Sequence, residues 1–394
     1  MSQRRTGLLA ALFLSAVALR PQIVGIGPLL PEIQDDLDMS HAVAGLLGTI
    51  PVLCMGVFAP PAPYLSGRIG TRLAIGFSLA LIGCVGLARA EAPDAFLLVL
   101  LTLPVGIGIG LAGAILPVAV KERFTDRPAF STGVYTTGIN VGSALASALA
   151  VPIAAVAGGW RGALVAFSAV TVGLAVIWAL QTRREPRHVR TTFRPPRLPL
   201  RSRTAWTLVA VFALLGTGYY GLNAWLPDSY VERGWSEESA GALVAVLNSA
   251  AIPAGFAVSW LADRHGSRRF YLVTGAATQL VCLLGIVLLP DGAWLWVILF
   301  GAVNGVMFAL VMTLPLDVAD TPAGVGAVAG LMLGAGYCLA ALSPFALGVA
   351  RDATGSFTAA LWVIAGTAAL LLVLCTTLTR ERLHRGVAEQ PASL

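Results

Sequence analysis

Apolar residues fall along this 394-residue chain in long runs separated by short polar, basic or proline-containing stretches. Six runs of about the 20 residues needed to cross a hydrocarbon core lie near 7–30, 41–65, 73–90, 95–120, 130–157 and 161–181. Six more lie near 204–227, 238–261, 269–289, 294–316, 323–349 and 357–379. The runs lack the alternation of strands and exceed the roughly ten-residue segments of a membrane barrel. The pattern therefore predicts an all-α membrane protein of twelve helices, spans 1 to 12. Span 1 follows MSQRR, but it is too long for a signal-peptide h-region of roughly 7–15 residues, and no small-residue cleavage site directly follows. It is expected to be a retained helix.

Between the two sets, residues 182–203 read TRREPRHVRTTFRPPRLPLRSR, with eight arginines and four prolines. The segment is too polar to span and too rich in proline for a regular helix. It is expected to be a basic linker between an N-terminal six-helix bundle, 1–181, and a C-terminal one, 204–394. A shift of 196 positions carries Leu30-Pro31-Glu32 onto Leu226-Pro227-Asp228, Ala44-Gly45 onto Ala240-Gly241, and SGRIGTR at 66–72 onto ADRHGSR at 262–268. A shift of 198 carries Leu116-Pro117 onto Leu314-Pro315. The chain thus reads as an internal duplication. An even number of spans per copy makes the copies parallel repeats, and binding sites in such proteins lie at the repeat interface near the midplane.

Composition and charge add an orientation. Hydrophobic residues make up 57% of the chain and charged ones 12%, with a mean hydropathy of +0.81, against the roughly quarter-charged makeup of soluble domains. Of the 26 Lys and Arg, 21 fall in the N-terminus, the loops after spans 2, 4, 6 and 8, and the C-terminus, whereas Arg89, Arg161, Arg233 and Arg351 fall in the opposite loops. The positive-inside tendency then places both termini in the cytoplasm and the protein in a cytoplasmic (inner) membrane. The net charge of +6 follows from topology and contact with anionic lipids, without a nucleic-acid partner. Cys54, Cys84, Cys282, Cys338 and Cys375 all fall inside spans without ligand spacing, and read as small buried apolar residues with no metal role. GIGIG at 106–110 and GLMLGAG at 330–336 have no preceding strand and no phosphate-binding lysine, so nucleotide-loop readings fail. These runs, and the GxxxG of Gly138 and Gly142, suit close helix approach. No cofactor and no enzymatic chemistry is expected.

Two six-helix halves, a long basic central loop, and the turns after spans 2 and 8 resemble the major facilitator superfamily of secondary transporters. ALRPQIVGIGPLLPEI and AGLLGTIPVLCMGVFAP resemble its cyanate and nitroimidazole (CynX/NimT-like) branch. The resemblance implies the two-bundle fold, a cavity lined by helices 1, 4, 7 and 10, and a conformational gate at Arg68, Gly70, Arg72, Asp263, Arg264, Gly266 and Arg268. The family's loop pattern places an acidic residue before the basic one. Asp263 fills that place, but Gly67 occupies it in the first copy, so a carboxylate-dependent gate contact is expected of the second copy only.

One cation is left over after the loops are counted: Arg20, in the middle of span 1. A charge at that depth costs about 2.5–3.5 kcal/mol on insertion scales and usually serves function; a structural arginine bonding carbonyls beside Pro21 is the alternative. None of the 20 Asp and Glu and none of the four His falls in a span interior by this reading. An unpaired arginine in a low-dielectric cavity is complemented by an anionic or strongly dipolar substrate, while organic cations usually need a carboxylate or an aromatic cage. Arg20 maps onto Gly216, so one planar guanidinium is available, which suits a monovalent anion, a small carboxylate or a nitro-type dipole better than a phosphate ester.

At about 100° per residue, Arg20 shares a face with Val24 and Gly27, while Gln22 points elsewhere. On span 7 the matching face carries Gly216, Tyr220 and Asn223, with Tyr219 one turn from Asn223. Asn140, Asn248 and Asn304 lie deep in spans 5, 8 and 10 and face either the cavity or another helix. Gln279 is expected to pair structurally, and Tyr337 of span 11 is a further cavity candidate. Glu32 and Asp228 are the rim carboxylates that a coupling proton would use; solvated helix-end charges are the alternative. The expected function is secondary active transport of a small monovalent anion or polar heteroaromatic compound by a monomer in lipid. Two rivals stand beside it. One is a proton-driven exporter of apolar compounds, weakened by the lack of a glycine-proline pair in span 5. The other is a non-transporting membrane sensor, for which the chain shows no signalling domain.

Overall fold

The computed structural model describes residues 3–124, 128–183, 198–265, 268–319 and 322–378, and every regular element among them is a helix. Eleven helical stretches of the described residues are long and apolar enough to cross a membrane. Span 8 is likewise one helix, Glu237–His265. The chain is an integral membrane protein of the expected helical class. Its apolar surface fits that reading: Phe96 is 75% exposed and Val156 86%, which water would penalise and lipid does not.

Helix boundaries follow local chemistry. Ser40, Asp94, Ser202 and Ser356 each cap a span by accepting a hydrogen bond from a backbone amide of the first turn. Span 2 stops at Phe58, where prolines cluster, and a short helix Ala62–Ile69 follows. Span 11 is split into Pro322–Ala340 and Leu342–Thr354, since Pro344 cannot donate to the preceding turn. Gly70 turns the chain into span 3 at φ 86°, a conformation that suits glycine. Gly138 and Gly142 lie against the carbonyls of Phe13 and Val17 in span 1, where an added Cβ would strike backbone. Backbone contact of that kind is what small residues allow between membrane helices. All five cysteines are free thiols, but Cys84 is exposed and not buried.

The repeat-related spans 1 and 7 differ in shape. Span 7 is a single helix, Arg203–Val231. Span 1 is built of Gln3–Val17, Pro21–Val24, the 3-10 turn Gly27–Leu29 and Leu30–Leu37. Pro21 and Pro28 sit at the two interruptions, each lacking an amide donor; shifted by 196 they fall on Thr217 and Ala224, which leave span 7 intact. The face carrying the loops after spans 2, 4, 6 and 8 is called here the basic face, and the other the opposite face.

Candidate functional site

Arg20 occupies the first interruption of span 1, just before Pro21. Its carbonyl accepts from Ile23 N at 3.0 Å and Val24 N at 2.9 Å, which starts the short helix Pro21–Val24 and fixes the direction of the side chain. Arg20 as a residue is partly exposed, but its Nη1 is fully enclosed with no hydrogen-bond partner, while the Tyr220 hydroxyl accepts from another part of the guanidinium. Its electrostatic neighbours are the phenols of Tyr220, Tyr219 and Tyr337; no carboxylate among the described residues pairs with it. Two of these phenols belong to span 7 and the third to span 11, so the cation of the first half faces aromatic hydroxyls of the second.

Span 7 and span 8 are joined behind this group by amides. The Tyr219 hydroxyl donates to Asn248 Oδ1 at 2.8 Å, Asn248 Nδ2 donates to Asn223 Oδ1 at 2.9 Å, and Asn223 Nδ2 donates to the Tyr219 carbonyl at 2.8 Å. The Tyr219 and Tyr220 rings meet edge to face, with centroids 5.1 Å apart. Val24, Gly27, Tyr220 and Asn223 line one small cleft together with Gly48 and Pro344. The structure thus brings Tyr219, Tyr220 and Tyr337 to Arg20, and ties Asn223 and Asn248 to Tyr219. Asn304 instead accepts from Gln279 Nε2 at 3.1 Å and is buried between spans 9 and 10. Asn140 is half-buried on span 5.

The back of the broken helix holds what the charge pattern concealed. Arg89 is not a loop cation: it lies in the last turn of Thr71–Ala90 and is 0% exposed. Its Nη2 donates to Gln22 Oε1 at 2.5 Å and its Nη1 to Thr102 Oγ1 at 3.3 Å, while Gln22 Nε2 donates to Ser168 Oγ at 2.8 Å. Gln22 therefore points away from Arg20, held by spans 3 and 6. Among the described residues, Arg20 is thus joined by a second enclosed cation. Arg89 was missed because it sits next to the polar residues that end its span, where a snorkelling charge and a buried one look alike in sequence.

On the opposite face one carboxylate is more buried than the run lengths imply. Asp228 is only 9% exposed and accepts from Gln34 Nε2 at 3.1 Å; it lies inside the helix of span 7, not in a solvated turn. Glu32 accepts from Trp160 N at 3.1 Å, and Asp36 pairs with Arg161. Arg351 is also helical and pairs with Glu232 at 2.6 Å. His41 bonds Asp352 across 311 positions of chain, a pairing with no local signature.

Of the turn residues on the basic face, Arg68 lies over the Tyr64 ring at 4.6 Å, and Arg72 Nη1 donates at 3.1 Å to the carbonyl of Arg183, which ends the helix of span 6. Gly266 and the side chains of Asp263, Arg264 and Arg268 lie outside the described residues.

Comparison with known proteins places the fold in a family. The chain is 32% identical over 352 residues to the cyanate transport protein CynX of Escherichia coli (strain K12), covering 89% of this chain and 91% of that protein. It is 29% identical over 383 residues to the 2-nitroimidazole transporter of the same organism, covering 96% and 97%. A solved bacterial homologue of the human lysosomal transporter Spinster, in an inward-facing and unoccupied conformation, shares the fold with a TM-score of 0.76 at 17% identity, covering 98% of this chain and 95% of that one. The Major Facilitator Superfamily profile matches residues 8–344; the chain belongs to that superfamily and is a transport protein, not an enzyme.

Proposed function

We propose that this chain carries a small monovalent anion or a small polar heteroaromatic compound across the membrane by alternating access, with Arg20 as the central binding group. One observation carries the reading: a guanidinium at a helix interruption, its Nη1 enclosed and unpartnered, facing phenols instead of carboxylates. Such a charge is strongly unfavourable until an anion or strong dipole meets it, so the substrate completes the electrostatics. The relatives named for cyanate and 2-nitroimidazole fit that chemistry, since a planar fork of donors suits both an anion and a nitro group. Tyr219, Tyr220, Tyr337, Asn223 and Asn248 orient the bound compound. The units 1–181 and 204–394, joined by 182–203, move about this point, and the basic face is cytoplasmic.

The test is uptake and counterflow of cyanate and of 2-nitroimidazole in proteoliposomes. Arg20→Ala is expected to lower kcat/KM by about 100-fold or more, as loss of a buried charge-assisted contact does. Arg20→Lys keeps the charge but not the fork and is expected to retain at most about a tenth. A monodisperse Arg20→Ala protein that transports both compounds at the parent rate overturns the assignment.

A further inference from the structure

The contacts that tie the two halves together on the opposite face converge on one imidazole. His41 opens span 2, and Asp352 near the end of span 11 caps it from the other half. Asp352 Oδ1 accepts from His41 N at 3.1 Å and lies 2.8 Å from His41 Nδ1, and Asp352 Oδ2 accepts from Ala42 N at 2.8 Å. A carboxylate at a helix N-terminus is favourable on its own account. On the other edge of the ring, His41 Nε2 lies 3.7 Å from Asp228 Oδ2, the same oxygen that accepts from Gln34 of the first half. Trp225 and Phe357 flank the imidazole, with centroids 5.6 and 5.5 Å away. The other charges acting on Asp228 are Glu232 and Arg351, which pair with each other, Glu232 also accepting from the Phe357 amide; Glu32 accepts from the Trp160 amide and Asp36 pairs with Arg161.

The arrangement has a defined dependence on one proton. With both ring nitrogens protonated, Nδ1–H faces Asp352 and Nε2–H faces Asp228, and one cation bridges two carboxylates of the second half. A neutral ring has a single N–H. If that hydrogen stays on Nδ1 for Asp352, the Nε2 lone pair confronts the Asp228 carboxylate, and attraction becomes repulsion. Histidine is the side chain that ordinarily changes charge between pH 5 and 8. The His41 side chain is 24% exposed and that of Asp352 31%, so solvent on this face exchanges the proton while the halves remain joined.

We infer that His41, Asp228 and Asp352 form a proton-sensitive latch of the transport cycle: a proton from the opposite face closes that face, and its loss favours opening. The proton is a regulator taken from and returned to the same side, not a coupling ion carried through. The inference rests on the transport reading and on the orientation proposed above.

The experiment uses the full chain in right-side-out proteoliposomes with its five cysteines replaced. Ala224→Cys, beneath the latch and 7% exposed, reports access for an impermeant methanethiosulfonate. Its rate is divided by that of Ser236→Cys in the exposed loop after span 7, which removes the pH dependence of thiolate formation shared by the two cysteines. The ratio is expected to rise about fivefold from pH 5.5 to 8, the size that a partly exposed ion pair supports. His41→Gln should flatten the curve, and Asp228→Asn, which leaves the Asp352 cap in place, should flatten it too. A flat curve in the parent, or an unchanged slope in both variants, overturns the latch, while the transport reading stands or falls separately on Arg20→Ala. Labelling that needs reagent on the basic-face side overturns the orientation and the latch together.

Discussion

Spans 1 and 7 occupy equivalent places in the two copies, yet one is broken at Arg20–Pro21 and again near Pro28, and the other runs unbroken through Arg203–Val231. Two prolines make the difference, since the second copy has Thr217 and Ala224 at those positions. The interruption does more than bend a helix. It falls between two residues that helical phase turns to opposite sides: Arg20 faces the phenols of spans 7 and 11, and Gln22 is clamped by Arg89 and Ser168 inside the first half. The continuous helix serves as a fixed rail that presents Tyr219, Tyr220 and Asn223 in register. The sequence repeats read as two similar frames, and the broken helix makes one of them the bearer of the charge.

The sharpest way to break this comparison is to release the clamp. Arg89→Met removes a fully buried cation and leaves Gln22 Oε1 without its donor, while Thr102 keeps its bond to the Leu98 carbonyl. It is expected to lower unfolding stability by about 3 kcal/mol, within the range for disrupted buried polar pairs, read as a fall in the melting temperature of detergent-solubilised protein. A variant as stable as the parent would show that Gln22 is held by Ser168 alone. The next test makes span 1 resemble span 7. Pro21→Ala restores an amide donor at the break and is expected to weaken substrate affinity about tenfold, roughly 1.4 kcal/mol, without loss of melting temperature, because proline in a helix interior disfavours the helix. Unchanged affinity would mean that the break does not aim Arg20. The smallest effect belongs to the rail. Tyr219→Phe removes the hydroxyl that donates to Asn248 and is expected to raise KM by about two- to tenfold, the range for one net hydrogen bond, with kcat nearly unchanged. An equal fall in kcat and kcat/KM would instead place that hydroxyl at the transition between conformations.

Much of the frame was legible in the chain because the membrane makes strong demands on it. Without water to satisfy backbone groups, each crossing must be a helix of predictable length, so runs such as 204–227 announce span 7 directly. Arg20 was legible for the same reason, as a charge where insertion is unfavourable. Gln22 pointing away from it followed from helical phase, and the structure gives that orientation a partner. Other features resisted. Asn248 and Asn304 look alike in sequence, each an amide deep in an apolar run, yet one joins the tyrosine cluster and the other pairs with Gln279. Rotation about a helix axis by a few tens of degrees decides between those outcomes, and neighbouring helices set that rotation.

The sequence by itself determined the class of fold and the family, because hydropathy and charge are local properties that the bilayer reads one segment at a time. Only the tertiary structure decided which partners met: Arg89 with Gln22, Tyr219 with Asn248, His41 with Asp352 across 311 positions. Such pairings depend on how helices pack and turn against one another, and packing is a property of the whole bundle that no single span carries.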